Sequence, residues 1–334
     1  MAGPPTPLRI LETLGGFQRT AALRAALELD LFTAIGEGAH AVASLARRCS
    51  ASERGVQALC DYLTMLGFLE KKSDAYSLSA DAAAFLDARS PAYLGASAAE
   101  SHAGEMLTGA FAKLTEAVRR GGTALPAGGV LALEHPMWVQ FARTMAVPGR
   151  FLARRLADCV GERAAPPEKI LDIAAGHGLY GIELAKRNAR AEVFAVDWPA
   201  VLAVARGHAE AAGVLDRFHP IPGDALAVDY GAGYDLALVT NFMPDLDSST
   251  HLLKRVHSAL LEGGRLVVYE STLDDDRVSP PAAVSLNLIL LATTPAGEVR
   301  TASQLREIID AAGFRRAEFH ELPGAPGRVV IAYR

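Results

Sequence analysis

The sequence predicts an α/β protein in which a parallel sheet ends in an antiparallel hairpin and follows a mostly helical N-terminal domain. From Lys169 onward, apolar strand-like runs alternate with helical stretches, as in a parallel sheet covered on both faces. The last two runs, Arg315 to Leu322 and Arg328 to Tyr333, are joined by a short loop, so they must pair as antiparallel neighbours. Before residue 165 nearly every apolar pattern has helical spacing.

The N-terminal domain is predicted over residues 1–95. Its main helices are expected from Phe17 to Ile35, Ser44 to Arg48 and Ser52 to Leu66, with Ser52 as an N-cap. Short apolar runs at 67–70 and 75–78 flank a polar turn and predict a β-hairpin. A helix pair followed by a hairpin has the outline of a winged helix, which serves in dimerisation or in DNA binding. The candidate recognition helix carries Glu53 and Asp61 and few bases, which favours dimerisation.

A helical middle region is expected over 96–165, and a third region over 166–334. Pro166 and Pro167 form the clearest linker, because proline pairs stop helices. The further predicted strands span Lys169 to Ala174, Ala191 to Val196, Arg217 to Pro222, Tyr234 to Thr240 and Arg265 to Ser271. The predicted helices span Gly178 to Arg187, Pro199 to Ala212, Ser248 to Leu261 and Gln304 to Ala312.

The composition is that of an ordinary globular protein, with 50% apolar and 21% charged residues among 334. A net charge of −5 argues against nucleic acid or an anionic membrane as a partner. The three cysteines form no C-x-x-C pair, so neither disulfides nor a metal site is predicted. The N-terminus lacks a signal-peptide pattern, and the most apolar run, Ala282 to Ala292, is too short to cross a bilayer. We therefore expect a cytoplasmic protein.

A glycine turn is the first indication of a ligand site. A buried strand leads into it, and residues 176–181 satisfy G-x-G-x-x-G at the start of the next helix. Gly176 and Gly178 let a ligand approach the backbone, and the helix N-terminus offers free N–H groups. Asp172, where the strand ends, would repel a pyrophosphate but would suit the ammonium group of a methionine moiety. The alternative role for Asp172 is a turn cap.

Further candidate residues follow the other strands, at the edge where open α/β sheets bind ligands. Asp197 can hold both hydroxyls of a ribose, and Trp198 packs either on an adenine or between helix and sheet. Asp224, followed by Ala225, either accepts a hydrogen bond from the adenine amino group or is an ordinary turn residue. Asn241 follows the fourth strand. Together these residues predict a site for the sulfonium nucleoside S-adenosylmethionine.

At these motifs the sequence resembles the two-domain S-adenosylmethionine-dependent O-methyltransferases, which include plant caffeate-type and bacterial polyketide-tailoring enzymes. The segment Asp172 to Gly178 matches the family's D-x-G-x-G-x-G turn, with Ala174 in place of the first glycine, and Gly313-Phe314 matches its A-G-F. The resemblance covers nearly the whole chain. It implies a Rossmann-like, seven-stranded sheet, a winged-helix-like dimerisation domain, a homodimer, and a small-molecule pocket to which residues 96–165 contribute.

One position departs from the family pattern. After the fourth strand the family carries a histidine, in N-x-L-H-x-x-D, which removes the proton of the substrate hydroxyl. Pro244 stands there in this chain, and proline cannot act as a base. Asp245 is the nearest replacement, although the pattern favours a turn aspartate there, and His135 in the helical middle is the other candidate, with packing or a surface position as its alternative role. Transfer without the histidine suits an ionised phenol or acid, an amine or an activated carbon.

Several hypotheses remain open. Methyl transfer to a small molecule, on oxygen before nitrogen or carbon, leads. Pro244 motivates a second, in which the cofactor is kept for hydroxylation, decarboxylation or a pericyclic step. A third is a DNA-binding regulator that uses the winged helix. A fourth is an NAD-dependent dehydrogenase, which conflicts with Asp172 and with the terminal hairpin.

Overall fold

The structure, a computed structural model, describes residues 5–95, 99, 104–126, 137–162, 166–243, 249–325 and 327–334. The chain divides into two compact units, Met1–Glu105 and Met106–Arg334. Most of the helical middle therefore belongs to the same unit as the sheet. Within the described ranges, no helix is both long and apolar enough to span a membrane.

Short helices and one hairpin build the N-terminal unit. The helices are α1 (Leu8–Leu14), α2 (Gly16–Glu28), α3 (Leu31–Gly36), α4 (Val42–Arg48), α5 (Glu53–Met65) and α6 (Ala80–Phe85). Strands β1 (Leu69–Lys72) and β2 (Ala75–Leu78) pair antiparallel between α5 and α6. Apolar side chains from these elements, among them Leu31, Leu63 and Tyr76, are fully buried and form the core of this unit.

The single helix predicted from Phe17 to Ile35 is wrong, because α2 and α3 share this segment. Asp30 between them has a φ of +54°, in the left-handed region, so the α-helical geometry cannot continue through it. The expected cap at Ser52 is confirmed, since its side chain accepts a hydrogen bond from the Gly55 amide at 3.1 Å.

The helical middle contains α7 (Glu105–Ala112), α8 (Leu114–Arg120) and α9 (Met137–Gly161). The buried side chains of α9 recur at helical spacing from Ala142 to Val160, so this helix is amphipathic. Pro148 is exposed within α9, and the neighbouring Gly149 is buried. Because Gly149 has no Cβ, another element can approach α9 most closely at this turn.

The sheet, within the part of the chain that the structure describes, has seven strands in the order β5-β4-β3-β6-β7-β9-β8. They are β3 (Lys169–Ile173), β4 (Glu192–Asp197), β5 (Phe218–Pro222), β6 (Tyr234–Thr240), β7 (Leu260–Glu270), β8 (Arg315–Glu321) and β9 (Arg328–Tyr333). Strands β3 to β7 are parallel, and β9 pairs antiparallel with both β7 and β8. The predicted parallel sheet with a terminal antiparallel hairpin is confirmed.

Helices cover both faces of the sheet. On one face lie α9, α10 (Leu179–Arg187) and α11 (Pro199–Ala211), and on the other lie α12 (Ser249–Ala259) and α14 (Ala302–Ala311). Helix α13 (Pro281–Thr293) packs in a separate small cluster with Leu273 and Val299. Alternate strand residues point to opposite faces, so Ile170 packs with α9, α10 and α11 whereas Leu171 and Ile173 pack with α12 and α14. Asp172 shares the face of Ile170. The alternation therefore places a carboxyl group inside an apolar layer.

Helix α13 covers the apolar run at 282–292, which the sequence pattern alone did not assign to an element. Thr123, which follows α8 in the helical middle, is hydrogen-bonded to the C-terminal end of α13. The amide of Thr123 donates to the Thr294 carbonyl at 2.8 Å, and the Thr123 hydroxyl donates to the Ala292 carbonyl at 2.7 Å. These bonds hold the loop that follows α13, at residues 295–297.

Candidate active site

A cavity of about 440 Å³ lies at the edge of the sheet where β3, β4, β5 and β6 end. Residues that follow these strands line it, together with one face of α9 and the loop after α13. This is the edge at which open α/β sheets place ligands, and the volume suits a small molecule. The predicted cofactor residues that line it are Gly176, Asp197, Trp198, Asp224, Ala225 and Asn241.

The glycine turn between β3 and α10 keeps its shape through positive φ angles. Gly176 and Gly178 have φ of +55° and +72°, and Ala174 adopts +51° without being glycine. A Cβ at Gly178 would lie 2.8 Å from the Cβ of Ala205, so Gly178 allows the turn to pack against α11. Gly178 does not line the cavity, and of the two predicted glycines only Gly176 does.

Asp197 fixes the turn from the end of β4. Its Oδ2 accepts the Gly176 amide at 2.8 Å, and its Oδ1 accepts the Trp198 amide at 2.7 Å. Burial raises the pKa of the Asp197 carboxyl, and the two amides oppose that rise. The carboxyl group is thereby held at the cavity wall beside the Trp198 side chain.

Asp224 and Asn241 continue the wall on either side. The Oδ1 of Asp224 accepts the Leu226 amide at 2.8 Å, and no described residue uses its Oδ2. Asn241 has a φ of +51°, which is uncommon outside glycine, and its backbone N–H donates to the Tyr269 carbonyl at 2.8 Å. Its side chain lies near the Tyr180 hydroxyl and lowers the pKa of that phenol against the larger effect of burial. Backbone contacts within the fold thus position both residues.

Asp172 lies beneath the turn and is fully buried. Neither of its oxygens has a hydrogen-bond partner among the described residues, and the Gly181 amide that faces the carboxyl stays outside hydrogen-bond geometry. Burial raises the pKa of Asp172 to about 8, with a smaller lowering by the Gly181 amide and a further rise from Asp197. A buried, unpartnered carboxyl group is costly, and its chemistry fits a ligand that brings a positive charge.

Comparison with known families agrees with this geometry. The family model for the O-methyltransferase domain matches residues 139–315, which is more than half of the chain. The chain belongs to the O-methyltransferase family. The model for the O-methyltransferase dimerisation domain matches residues 11–88 of this methyltransferase. The expected enzyme class, an S-adenosylmethionine-dependent methyltransferase, is therefore confirmed.

The methyltransferase is similar to two Streptomyces enzymes. The 3-hydroxy-5-methyl-1-naphthoate 3-O-methyltransferase of Streptomyces sahachiroi is 28% identical over 298 residues, which cover 87% of this chain and 84% of that enzyme. The tetracenomycin polyketide synthesis 8-O-methyltransferase TcmO of Streptomyces glaucescens is 27% identical over 314 residues, covering 92% and 91%. Similarity thus extends along almost the entire methyltransferase chain.

Solved structures show the same fold. A candidate O-methyltransferase from Nostoc punctiforme PCC 73102 has a TM-score of 0.95 and 41% identity, covering 99% of this chain and 100% of that one. Human N-acetylserotonin methyltransferase in complex with S-adenosylmethionine has a TM-score of 0.81, covering 100% and 99%, at 23% identity. At that identity the likeness supports the fold of the methyltransferase alone.

One face of α9 forms an apolar wall of the methyltransferase cavity. Its lining positions are Trp138, Phe141, Ala142, Met145, Gly149 and Leu152. They recur every three or four residues and so share one side of the helix. None of the aromatic ones was predicted from the sequence, because helical spacing groups residues on one face but does not show that this face lines a cavity. Among the described residues no lysine or arginine lines the cavity.

The two candidate bases, Asp245 and His135, lie outside the described residues, as does Pro244. Within the described part of the cavity, burial strongly raises the pKa of the Tyr180 phenol, so it stays protonated. Burial lowers the pKa of His177 to about 4. Neither group matches the task of taking a proton from a phenol near neutral pH.

The chain just before Pro244 is held from two sides. The buried Glu270 accepts the amides of Phe242 and Met243 on Oε1, at 2.7 and 2.9 Å. Arg300 donates from Nη1 to the Met243 carbonyl at 2.9 Å. Charge-assisted bonds of this kind are among the stronger ones, so the backbone of Phe242 and Met243 is firmly fixed at the end of β6.

Two side chains of the methyltransferase near these segments do not line the cavity. Met243 is buried in the core that α12 and α14 form with the sheet. The Oδ1 of Asn287 accepts the Val299 amide at 2.8 Å and so braces the chain after α13. Burial alone does not separate pocket from core in a sequence, because both select apolar or satisfied side chains.

Proposed function

We propose that this enzyme methylates a hydroxyl oxygen on a flat aromatic small molecule, with S-adenosylmethionine as the methyl donor. The observation that carries the donor assignment is Asp172, an unpartnered buried carboxyl group beneath the glycine turn. When this carboxyl ionises, it complements an ammonium or sulfonium and repels the pyrophosphate of a dinucleotide. When bound, S-adenosylmethionine supplies an electrophilic methyl carbon that passes to the acceptor oxygen and leaves a neutral thioether.

The residues along the sheet edge each bind a different part of the cofactor in this proposal. Asp197 holds the ribose hydroxyls, because the amides of Gly176 and Trp198 already orient its carboxylate. Trp198 and Ala225 pack against the adenine, and the Oδ2 of Asp224 accepts a hydrogen bond from its amino group. Asn241 faces the cavity from the end of β6. Each of these roles uses a polar atom or a surface that the fold leaves available.

The acceptor binds against the aromatic face of α9, where Trp138 and Phe141 make an edge-to-face pair with ring centroids 6.0 Å apart. Orientation of this kind contributes about 7–11 kcal/mol in well-aligned reactions, so positioning is the main task of the protein. Because the described cavity offers no base, the preferred acceptor is a hydroxyl acidic enough to ionise near neutral pH. Asp245 remains the candidate base for a less acidic acceptor.

A panel of hydroxylated aromatics with matched shape and graded acidity tests this proposal, with S-adenosylhomocysteine formation as the readout. We expect the fastest turnover with hydroxyls that are ionised at the assay pH, and a pH profile that follows the acidity of the acceptor. An aniline and an electron-rich carbon belong in the panel, because nitrogen and carbon acceptors need no histidine either. Equal rates across the hydroxyl series would refute the dependence on acceptor ionisation.

Pro244 favours one second candidate, in which the cofactor site is kept for a reaction other than methylation, such as hydroxylation, decarboxylation or a pericyclic step. The variant Pro244→His separates the two. Methylation that appears only in the variant would support the second candidate. Methylation by the natural enzyme of any acceptor in the panel would instead support the proposed methyltransferase activity.

The assembly that we propose is a homodimer formed through the N-terminal unit. The dimerisation-domain match covers residues 11–88, and α1 exposes apolar side chains, with Leu8 at 61%, Leu11 at 60% and Leu14 at 70% exposure. A cytoplasmic location fits the cysteines, because Cys49, Cys60 and Cys159 are free thiols in the structure. Light scattering of the purified enzyme tests the dimer.

A further inference from the structure

His177 lies in the glycine turn and lines the cavity, although only 7% of the residue is exposed. The ring packs on Tyr180, with centroids 5.4 Å apart. Gly149 of α9 lies opposite it, and a Cβ at Gly149 would come within 2.4 Å of the imidazole Nε2. The missing side chain at Gly149 therefore makes the space that the Nε2 edge of the ring occupies.

Hydrogen bonding determines which ring nitrogen carries the proton. The Leu179 amide donates to Nδ1 at 3.2 Å, so Nδ1 is the unprotonated nitrogen. Burial lowers the pKa of His177 to about 4, with a smaller lowering by His208, so the ring is neutral near pH 7. A neutral ring whose Nδ1 accepts a hydrogen bond carries its hydrogen on Nε2. This nitrogen is a donor at the cavity wall, and no described residue accepts from it.

The position of His177 along the sheet indicates which part of the cofactor it meets. Asp224 and Asp197 follow β5 and β4, and the turn with His177 follows β3, the next strand in the sheet. A nucleoside that lies over β5 and β4 therefore extends its remaining end toward β3. In S-adenosylmethionine that end is an amino acid, with one ammonium and one carboxylate. Asp172 complements the ammonium, and an uncharged N–H donor complements the carboxylate.

We propose that His177 binds the methionine carboxylate of the cofactor through Nε2–H, and that Gly149 is the position on α9 that permits it. The inference rests on the proposed cofactor. A neutral donor is better suited here than lysine or arginine, because a full positive charge would repel the ammonium and the sulfonium nearby. It also follows that His177 is not the missing base, since the nitrogen at the cavity wall already carries a proton.

Calorimetric titration with two ligands tests the assignment. S-adenosylhomocysteine carries the amino acid end, and 5′-methylthioadenosine has the same nucleoside without it. In His177→Phe the ring and its packing on Tyr180 remain but the N–H is lost, so we expect S-adenosylhomocysteine to bind about 10- to 100-fold more weakly, as for the loss of a hydrogen bond to a charged group. We expect the affinity for 5′-methylthioadenosine to stay within about twofold, because that ligand makes no such bond.

Two further variants guard against a purely structural effect. His177→Gln places an amide N–H at a similar reach, and we expect it to recover part of the lost affinity. Gly149→Ala leaves His177 in the sequence but puts a methyl group where Nε2 lies, so we expect the same ligand-selective loss. His251→Ala, at an exposed position on α12, is the matched control and should change neither affinity.

The outcomes separate this inference from the proposed function. Equal weakening of both ligands by His177→Phe would show that His177 only shapes the turn, and unchanged binding of both would show that it makes no contact; either result overturns the inference while the cofactor site stands. If the natural enzyme binds neither ligand, both the cofactor assignment and the inference fail.

Discussion

Replacing Asp172 with asparagine is expected to stabilise the ligand-free protein. In the fold, burial raises the pKa of Asp172 from 3.8 to about 8, whereas the unfolded chain ionises near the ordinary value. Between these two pH values the folded protein holds one more proton than the unfolded chain, so stability is fully present below about pH 4 and falls as the pH rises toward 8. The slope is about 1.4 kcal/mol per pH unit, and the full difference is on the order of 5 kcal/mol.

Asparagine does not titrate, so the stability difference between Asp172→Asn and the natural protein should grow with pH. Between about pH 5.5 and about pH 7 the gain is expected to be about 2 kcal/mol. Urea unfolding of both ligand-free proteins at several pH values measures it, and Asp216→Asn, which removes an exposed carboxylate, is the control. A difference that does not vary with pH would refute the reasoning, because Asp172 would then be ionised in the fold.

The same variant should bind S-adenosylmethionine more weakly. A cationic ligand favours the ionised form of Asp172, so binding to the natural protein should release a proton below about pH 8 and tighten as the pH rises toward that value. Calorimetry in buffers of different ionisation enthalpy detects the proton. Proton release that persists in Asp172→Asn would assign it to another group.

Further substitutions test the backbone around the site and the proposed dimer. Ala174→Gly should raise the free energy of unfolding by up to about 1 kcal/mol, because Ala174 has a left-handed φ of +51°, whereas the control Ala175→Gly should lower it. Gly178→Ala should cost about 1–3 kcal/mol, since its Cβ would lie 2.8 Å from that of Ala205. Urea unfolding measures the stability of Ala174→Gly, Ala175→Gly and Gly178→Ala. A change in the free energy of unfolding opposite in sign to the one expected would contradict the backbone argument. Leu14→Asp should shift the proposed dimer toward monomer in light scattering, and an unchanged mass would exclude the α1 face from the interface.

The sheet could be predicted from the sequence because its strands are buried runs between turn residues. The run Tyr234–Thr240 was predicted with the bounds that the structure has, since glycine and aspartate precede it in the sequence and Asn241 and Pro244 follow it. The division of the first long helix at Asp30 was missed, because a left-handed aspartate leaves no pattern in apolar spacing. Helix α13 was missed because it is apolar on most sides and shows no clear period.

The residues that line the cavity could be predicted only in part, for a similar physical reason. Those that follow strands, such as Asp197 and Asn241, could be predicted because parallel strands end at one edge. The opposition of Gly149 and His177 could not, because it depends on how α9 crosses the glycine turn rather than on any local pattern. Sequence thus predicts the half of the site that the sheet topology determines, and packing between helix and turn determines the rest.

The end of β3 and the neighbouring end of β6 concentrate unfavourable features: left-handed φ angles at Ala174 and Asn241, and an unpartnered buried carboxyl group at Asp172. Such features persist where surrounding packing dictates them, and here Ile170 and Leu171 are completely buried on opposite faces of the same strand. If the cofactor relieves the carboxyl, ligand binding must stabilise the fold more in the natural protein than in Asp172→Asn at equal ligand concentration. Saturation at about a hundredfold excess over Kd gives about 2.7 kcal/mol, so the weaker-binding variant should show a clearly smaller shift in thermal unfolding.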